Sequence, residues 1–281
     1  MRRLASHHRT CAKRLRATNA VFARTFGKQL FIVTFKGLGF EFQPGRVVKA
    51  GQQGPDFGLI RGDNTIWVEA IVPAPEGTPS EYLKPPRRGE FTVRTMPHKE
   101  MLLRWTAALK EKRDKFARYD DHGVISRAEP TVVAINGCRL CDFAIDDNGI
   151  SQMPFAVEAT FPVGPIAVPI SRDGRIDGEA RRIPRFSIQN DNGAEVPTDS
   201  FLNPLFENIS AVIGTVQWDM LRPLPLTLVH NPLARAPLER RIFKATKEYV
   251  ADDIGDEYLL RPLAQPPHDD DHPPHDGLER H

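Results

Sequence analysis

Two short apolar strands joined by a tight turn constrain this chain more than any other feature. The stretch GPDFGLIRGDNTIWVEAIVP, residues 54–73, reads as strands at 56–60 and 65–72 around a turn at 61–64. Its Ile, Val, Phe and Trp residues suit a pleated, half-buried surface. Each strand carries one carboxylate in an otherwise apolar setting, Asp56 where the hairpin opens and Glu69 inside the second strand. A carboxylate buried in a strand is costly unless it is paired or holds a metal. A hairpin that sets two of them side by side could share one cation between them. Side chains alternate along a strand, so Glu69 shares a face with Trp67 and Ile71, while Val68, Ala70 and Val72 take the other.

The segment that follows has the order expected of an α/β protein. Pro73 ends the second strand, and residues 74–98 form a long proline-rich connection with a basic cluster at Lys84, Arg87 and Arg88. Connections this long inside a compact domain are functional or disordered. Residues 98–119 read as the best helix in the chain, with Pro97 before it and Gly123 beyond its end. At about 100° per residue, Leu102, Trp105, Leu109, Phe116 and Tyr119 form one apolar stripe. Lys112 falls in the middle of that stripe, whereas Lys110, Glu111, Lys115 and Arg118 project away from it. A lysine there either snorkels out along its stem or has an anion to meet. Residues 130–138 read as a strand buried on both faces. Strand, helix, strand implies a crossover and an α/β (α+β) fold, a central mixed β-sheet flanked by helices.

Elsewhere the pattern is less regular. Residues 1–26 read as helix with Gly27 as its stop, and the run LFIVTF at 30–35 reads as a strand. Short strands are expected at 41–43 and 47–48, then at 155–161, 166–170, 209–216 and 226–230. Helices are expected at 205–209 and 239–250, and 175–197 reads as irregular. From residue 265 the composition offers nothing to build a core from and reads as a disordered tail. The expected organisation is therefore a basic N-terminal helical arm (1–29), a core (30–140), a β-rich C-terminal elaboration packed on it (141–264) and the tail (265–281).

The net charge of +2 conceals an asymmetry. Residues 1–28 hold eight Lys and Arg, Arg14 and Arg16 among them, and no acid; the first acidic residue is Glu41. A basic arm suits a polyanion such as nucleic acid. It also shares the Arg-rich, acid-free character of a mitochondrial transit peptide, though its few serines fit that poorly. No apolar run approaches the roughly 20 residues that span a bilayer. Three cysteines are too few for a disulfide framework, so a reducing, cytoplasmic setting is the expectation.

Hydrolysis of a phosphodiester needs a divalent cation held by carboxylates, an activated water and a positive charge near the developing phosphorane. Asp56 and Glu69 are hard oxygen ligands of the type Mg²⁺ prefers. With Pro55-Asp56 as the PD and Glu69-Ala70-Ile71 as the (D/E)-x-K, residues 40–140 resemble the PD-(D/E)XK (restriction endonuclease-like) nuclease superfamily. The resemblance implies a restriction endonuclease-like core with the helix at 98–119 and the strand at 131–136 in that order. It further implies Mg²⁺ (or Mn²⁺) on Asp56 and Glu69, and cleavage of nucleic acid, DNA rather than RNA. Ile71 stands where the family's lysine would be. Some members carry that lysine on the following helix, and Lys112 is the residue this would require. Glu41 is a softer candidate for a further metal ligand, with an exposed edge-strand glutamate as the plainer reading. Lys84, Arg87, Arg88, Arg14 and Arg16 would then hold the phosphate backbone. The resemblance also allows a homodimer.

Rival readings come from the same residues. Ile71 equally suits a catalytically inactive relative acting as a nucleic-acid-binding or adaptor module. A small-molecule hydrolase or plain interaction protein would be favoured if Asp56 and Glu69 lay far apart. Cys138 and Cys141 form a CxxC with no second pair, short of the four ligands of a structural zinc site. His230 after an apolar strand reads as a strand-terminating turn, and the tail histidines as solvated. No GxSxG or phosphate-binding glycine loop is present.

Overall fold

The computed structural model describes residues 20–45, 47–48, 52–83, 87, 89–90, 93, 95–140, 147–217, 224–255 and 257–264. The outer parts of the arm (1–19) and the tail from 265 lie outside these, as do Arg14, Arg16, Lys84, Arg88, Cys11 and Cys141.

The first described helix, α1 (Ala20–Gly37), runs through both Gly27 and the LFIVTF segment. The expected helix stop and the expected strand are thus one continuous helix. A six-residue apolar run carries no period of its own. Leu30, Phe31 and Phe35 face the core while Val33 points to solvent, which is helical sidedness. Gly27 serves close approach rather than termination, because a Cβ there would stand 2.5 Å from Val72 Cγ2.

Strands β1 (Glu41–Pro44), β4 (Phe57–Arg61) and β5 (Asn64–Ile71) follow as an antiparallel meander. A small ribbon of β2 (Val47–Val48) and β3 (Gln52–Gln53) is inserted before β4. Helix α2 (His98–Asp121) then crosses to β6 (Thr131–Asn136), which lies parallel beside β5. Every residue of β6 is buried, the pattern of a parallel strand covered on both faces.

The chain does not leave this sheet when it passes residue 140. β11 (Ala211–Thr215) joins β6 in parallel, and β12 (Thr227–His230), β13 (Lys247–Asp253) and β14 (Tyr258–Pro262) continue outward. The result is one mixed eight-stranded sheet ordered β1-β4-β5-β6-β11-β12-β13-β14, an α/β fold. The C-terminal elaboration expected to pack on a core instead extends the core's own sheet. Likewise the boundary expected at 29/30 falls inside α1.

Alternation along the central strands sends residues to two apolar layers. Trp67, Val133, Ile135 and Val212 pack with α2, burying Leu102, Trp105, Leu109 and Phe116. Val68, Ala70, Val132, Ala134 and Ile213 pack with α1 and Phe243 on the opposite face. Residues 155–161 prove to be a helical turn, α3 (Phe155–Glu158), not a strand: Phe155, Ala156 and Val157 are buried in succession, which an alternating strand on a half-open face does not do. The expected helix at 239–250 gives way to turns and β13, where Tyr249 pairs beside Val229 of β12. The expected helix at 205–209 is reduced to a 3₁₀ turn at Pro204–Phe206. The 175–197 region is not irregular but forms small exposed ribbons: β7 (Val163–Ala167) with β8 (Arg181–Pro184), and β9 (Ser187–Gln189) with β10 (Glu195–Pro197).

A buried polar knot fastens α2 to this outer region. Glu158 accepts from His98 Nε2 at 2.5 Å, Arg185 at 3.1 Å and the Ser151 amide at 2.9 Å, with the Ser151 hydroxyl also against it. Although burial penalises the Glu158 charge, these partners hold its carboxyl below the usual range. His230 is likewise buried, 2.7 Å from Glu248, so it holds β12 to β13.

Candidate functional site

The β4–β5 hairpin turns at Gly62, whose φ of 61° suits the first central position of a two-residue hairpin turn. The register this sets pairs Phe57 with Val68. Asp56 immediately precedes this pair, as Glu69 immediately follows it on β5. The Ala70 amide donates to Asp56 Oδ2 at 2.9 Å, holding that carboxylate against the strand that bears Glu69. Both carboxylates act electrostatically on the same two groups of α2, Lys112 and Tyr119.

Helix α2 delivers three groups to Glu69. Lys112, Lys115 and Tyr119 sit at i, i+3 and i+7, one face of a helix. Lys112 Nζ donates to Glu69 Oε2 at 2.7 Å, Lys115 Nζ to the same oxygen at 3.3 Å, and Tyr119 Oη to Oε1 at 2.7 Å. Glu69 is 1% exposed and Lys112 2%, so this is a buried ion pair. Lys112 meets the anion that its place on an apolar stripe demands. Lys115 does not project away as the helix projection suggested. Its side chain is 30% exposed, and from its place one turn beyond Lys112 it reaches the same carboxylate.

The charges respond to one another. Burial opposes the Lys112 ammonium, but the Glu69 carboxylate more than offsets this and its pKa lies above the ordinary value. For Lys115 the balance is reversed: burial, helped by the neighbouring Lys112 charge, outweighs Glu69 and lowers the pKa. Tyr119 is pushed far up, by burial first and then by its bond to Glu69, so it stays a neutral donor.

A third lysine arrives from the other face of the sheet. Lys28 on α1 donates to Asp56 Oδ2 at 2.7 Å. The close approach of α1 at Gly27 sets the neighbouring Lys28 there. Beside the three lysines lies a cleft of ≈ 330 Å³ over the end of β5, with Ile71, Arg104 and Glu111 also in its lining but neither Asp56 nor Glu69. Arg104 is paired with Glu76 at 2.6 Å.

Other anticipated residues do not join this site. Glu41 is exposed on the edge strand β1, paired with Ile60. That places it at the turn end of β4, while Asp56 precedes the opposite end at the Pro44–Phe57 pair; its geometry corrects the expectation of a metal ligand. Arg87 is exposed, its amide donating to Glu90 at 3.2 Å. Cys138 is buried. Conversely, Lys28, Lys115, Tyr119 and Arg104 belong to the site and were not anticipated as functional. The 112/115/119 spacing was the one sequence signal available for two of them.

Both carboxylates are hard oxygen ligands of the type Mg²⁺ or Mn²⁺ takes, but both oxygens of Glu69 already accept from Lys112, Lys115 and Tyr119. Asp56, 29% exposed, is the accessible member. Among the described residues no group of three or more His, Cys, Asp or Glu is placed to hold a metal. Also among them, no helix is long and apolar enough to cross a membrane. Comparisons with family models, curated proteins and solved structures find no match.

Proposed function

We propose that this protein is a metal-dependent nuclease of the PD-(D/E)XK type, hydrolysing phosphodiester bonds of nucleic acid, DNA in preference to RNA. The observation that carries the reading is the buried contact of Lys112 Nζ with Glu69 Oε2 at 2.7 Å. Ile71 fills the lysine position of the strand, and α2 supplies the ammonium instead. The parallel placement of β6 beside β5 after α2 supports the same reading.

In this reading Asp56 and Glu69 hold the cation. When bound, Mg²⁺ or Mn²⁺ would polarise a phosphoryl oxygen and make water acidic enough to attack. Tyr119 and Lys112 fix the rotamer of Glu69, so the carboxylate is aimed before substrate arrives. Lys112, kept protonated by Glu69, acts as a donor that orients water or meets phosphorane charge, not as a base. The test is cleavage of single- and double-stranded DNA and RNA with Mg²⁺ or Mn²⁺. Asp56→Asn, Glu69→Gln and Lys112→Met should each lose about 10²-fold or more in rate. Cleavage at the parent rate by all three would sink the assignment.

A second reading has one observation in its favour: both Glu69 oxygens are already satisfied by Lys112, Lys115 and Tyr119. A carboxylate so paired suits a nuclease fold kept for nucleic-acid binding or as an adaptor. Salt-sensitive binding without metal-dependent cleavage would select it.

A further inference from the structure

Four cations line the cleft, and they are not equally committed. Arg104 is held by Glu76, and Lys112 is buried against Glu69. Lys28 and Lys115 are the part-exposed cations on the two carboxylates. Their side chains are 28% and 30% exposed, and each shares its carboxylate oxygen with another donor. Asp56 Oδ2 keeps the Ala70 amide when Lys28 leaves, and Glu69 Oε2 keeps Lys112 when Lys115 leaves. Part-exposed ion pairs of this kind are weak, so a divalent cation on the same oxygens would displace these two ammonium groups first. The two reach the cleft from opposite faces of the sheet, Lys28 on α1 and Lys115 on α2. Both line the cleft over the end of β5.

We propose that Lys28 and Lys115 form a phosphate clamp that engages only when a divalent cation takes their carboxylates. Its ligand is a phosphodiester, whose two non-bridging oxygens accept one ammonium each. The clamp couples cation and substrate: each cation bound releases the positive charge that receives the phosphate, while Lys112 stays on Glu69. It rests on Asp56 and Glu69 being a cation-binding pair.

The test uses the full chain and a fluorescently labelled DNA duplex, its binding followed by anisotropy in EDTA and in Ca²⁺, with Mn²⁺ binding followed by electron paramagnetic resonance. Wild type should bind the duplex about tenfold more tightly with Ca²⁺, the scale of one charge-assisted contact. Lys28→Gln and Lys115→Gln should lose most of that increment with little change in EDTA. Both should bind Mn²⁺ about 2–5-fold more tightly, having lost a competing counter-ion. Circular dichroism confirms that the variants fold. An unchanged Ca²⁺ increment in both variants overturns the clamp, as does an equal loss of affinity in EDTA and Ca²⁺, which would make the lysines permanent contacts. A wild-type protein that binds no Mn²⁺ and cleaves nothing overturns the nuclease reading and the clamp with it.

Discussion

Glu69 offers two oxygens to three donors, all from one helix face, at a point with almost no solvent. Removing one partner of such a pair leaves a buried charge, which costs about 3–5 kcal/mol, whereas replacing both by apolar groups is far milder. Lys112→Met should therefore lower unfolding stability in urea by about that amount, and Glu69→Met/Lys112→Met should lose less than Lys112→Met alone. Losses that simply add in the double variant would show the pair to be uncoupled. The pH dependence has a definite sign. With its folded pKa above the ordinary 10.5, Lys112 contributes its full stability below that pH, and the contribution is lost as pH rises through the raised value. The alkaline fall in stability should be shallower in Lys112→Met.

At the scale of elements, the site depends on how closely α1 lies on the sheet. Gly27 allows that approach, and Lys28 beside it reaches Asp56 only because of it. In an isolated helix Ala would be better than Gly by about 1 kcal/mol. Here its Cβ would meet Val72, a stiff β-branched side chain that is itself buried. Gly27→Ala should thus destabilise the fold by about 1–3 kcal/mol, as overpacked cores do. Combined with Val72→Ala it should cost less than the two losses summed, a difference that thermal unfolding can measure. Helix α2 shows the complementary case, where sequence was sufficient for Lys112 but not for Lys115. A projection places Cβ atoms well, yet the end of a lysine lies four carbons further on.

For the whole molecule, the sheet is indivisible at residue 140. β6 is flanked by β5 on one side and β11 on the other, both in parallel. Ending the chain at 140 would strip β11 from β6 and expose an apolar edge whose backbone groups are unpaired. A fragment of residues 20–140 should therefore aggregate or show no cooperative unfolding, while residues 20–264 should unfold in a single transition. A fragment of 20–140 that melts cooperatively would restore the separate core that composition suggested.

The hairpin, the long helix and the buried strand after it were legible in the chain, because each is fixed by a local rule: turn chemistry, alternation or helical period. Lys112 on the sheet-facing stripe was legible for the same reason. What only the tertiary structure decided are contacts between elements distant in sequence. LFIVTF became helix because α1 had a sheet face to cover, residues 247–253 became strand because β12 offered an edge, and Lys28 entered the site because Gly27 admits Val72. Local preferences differ by about 1 kcal/mol or less per residue. Burying a large apolar side chain is worth about 1.5–3 kcal/mol, so where the two disagree, packing decides.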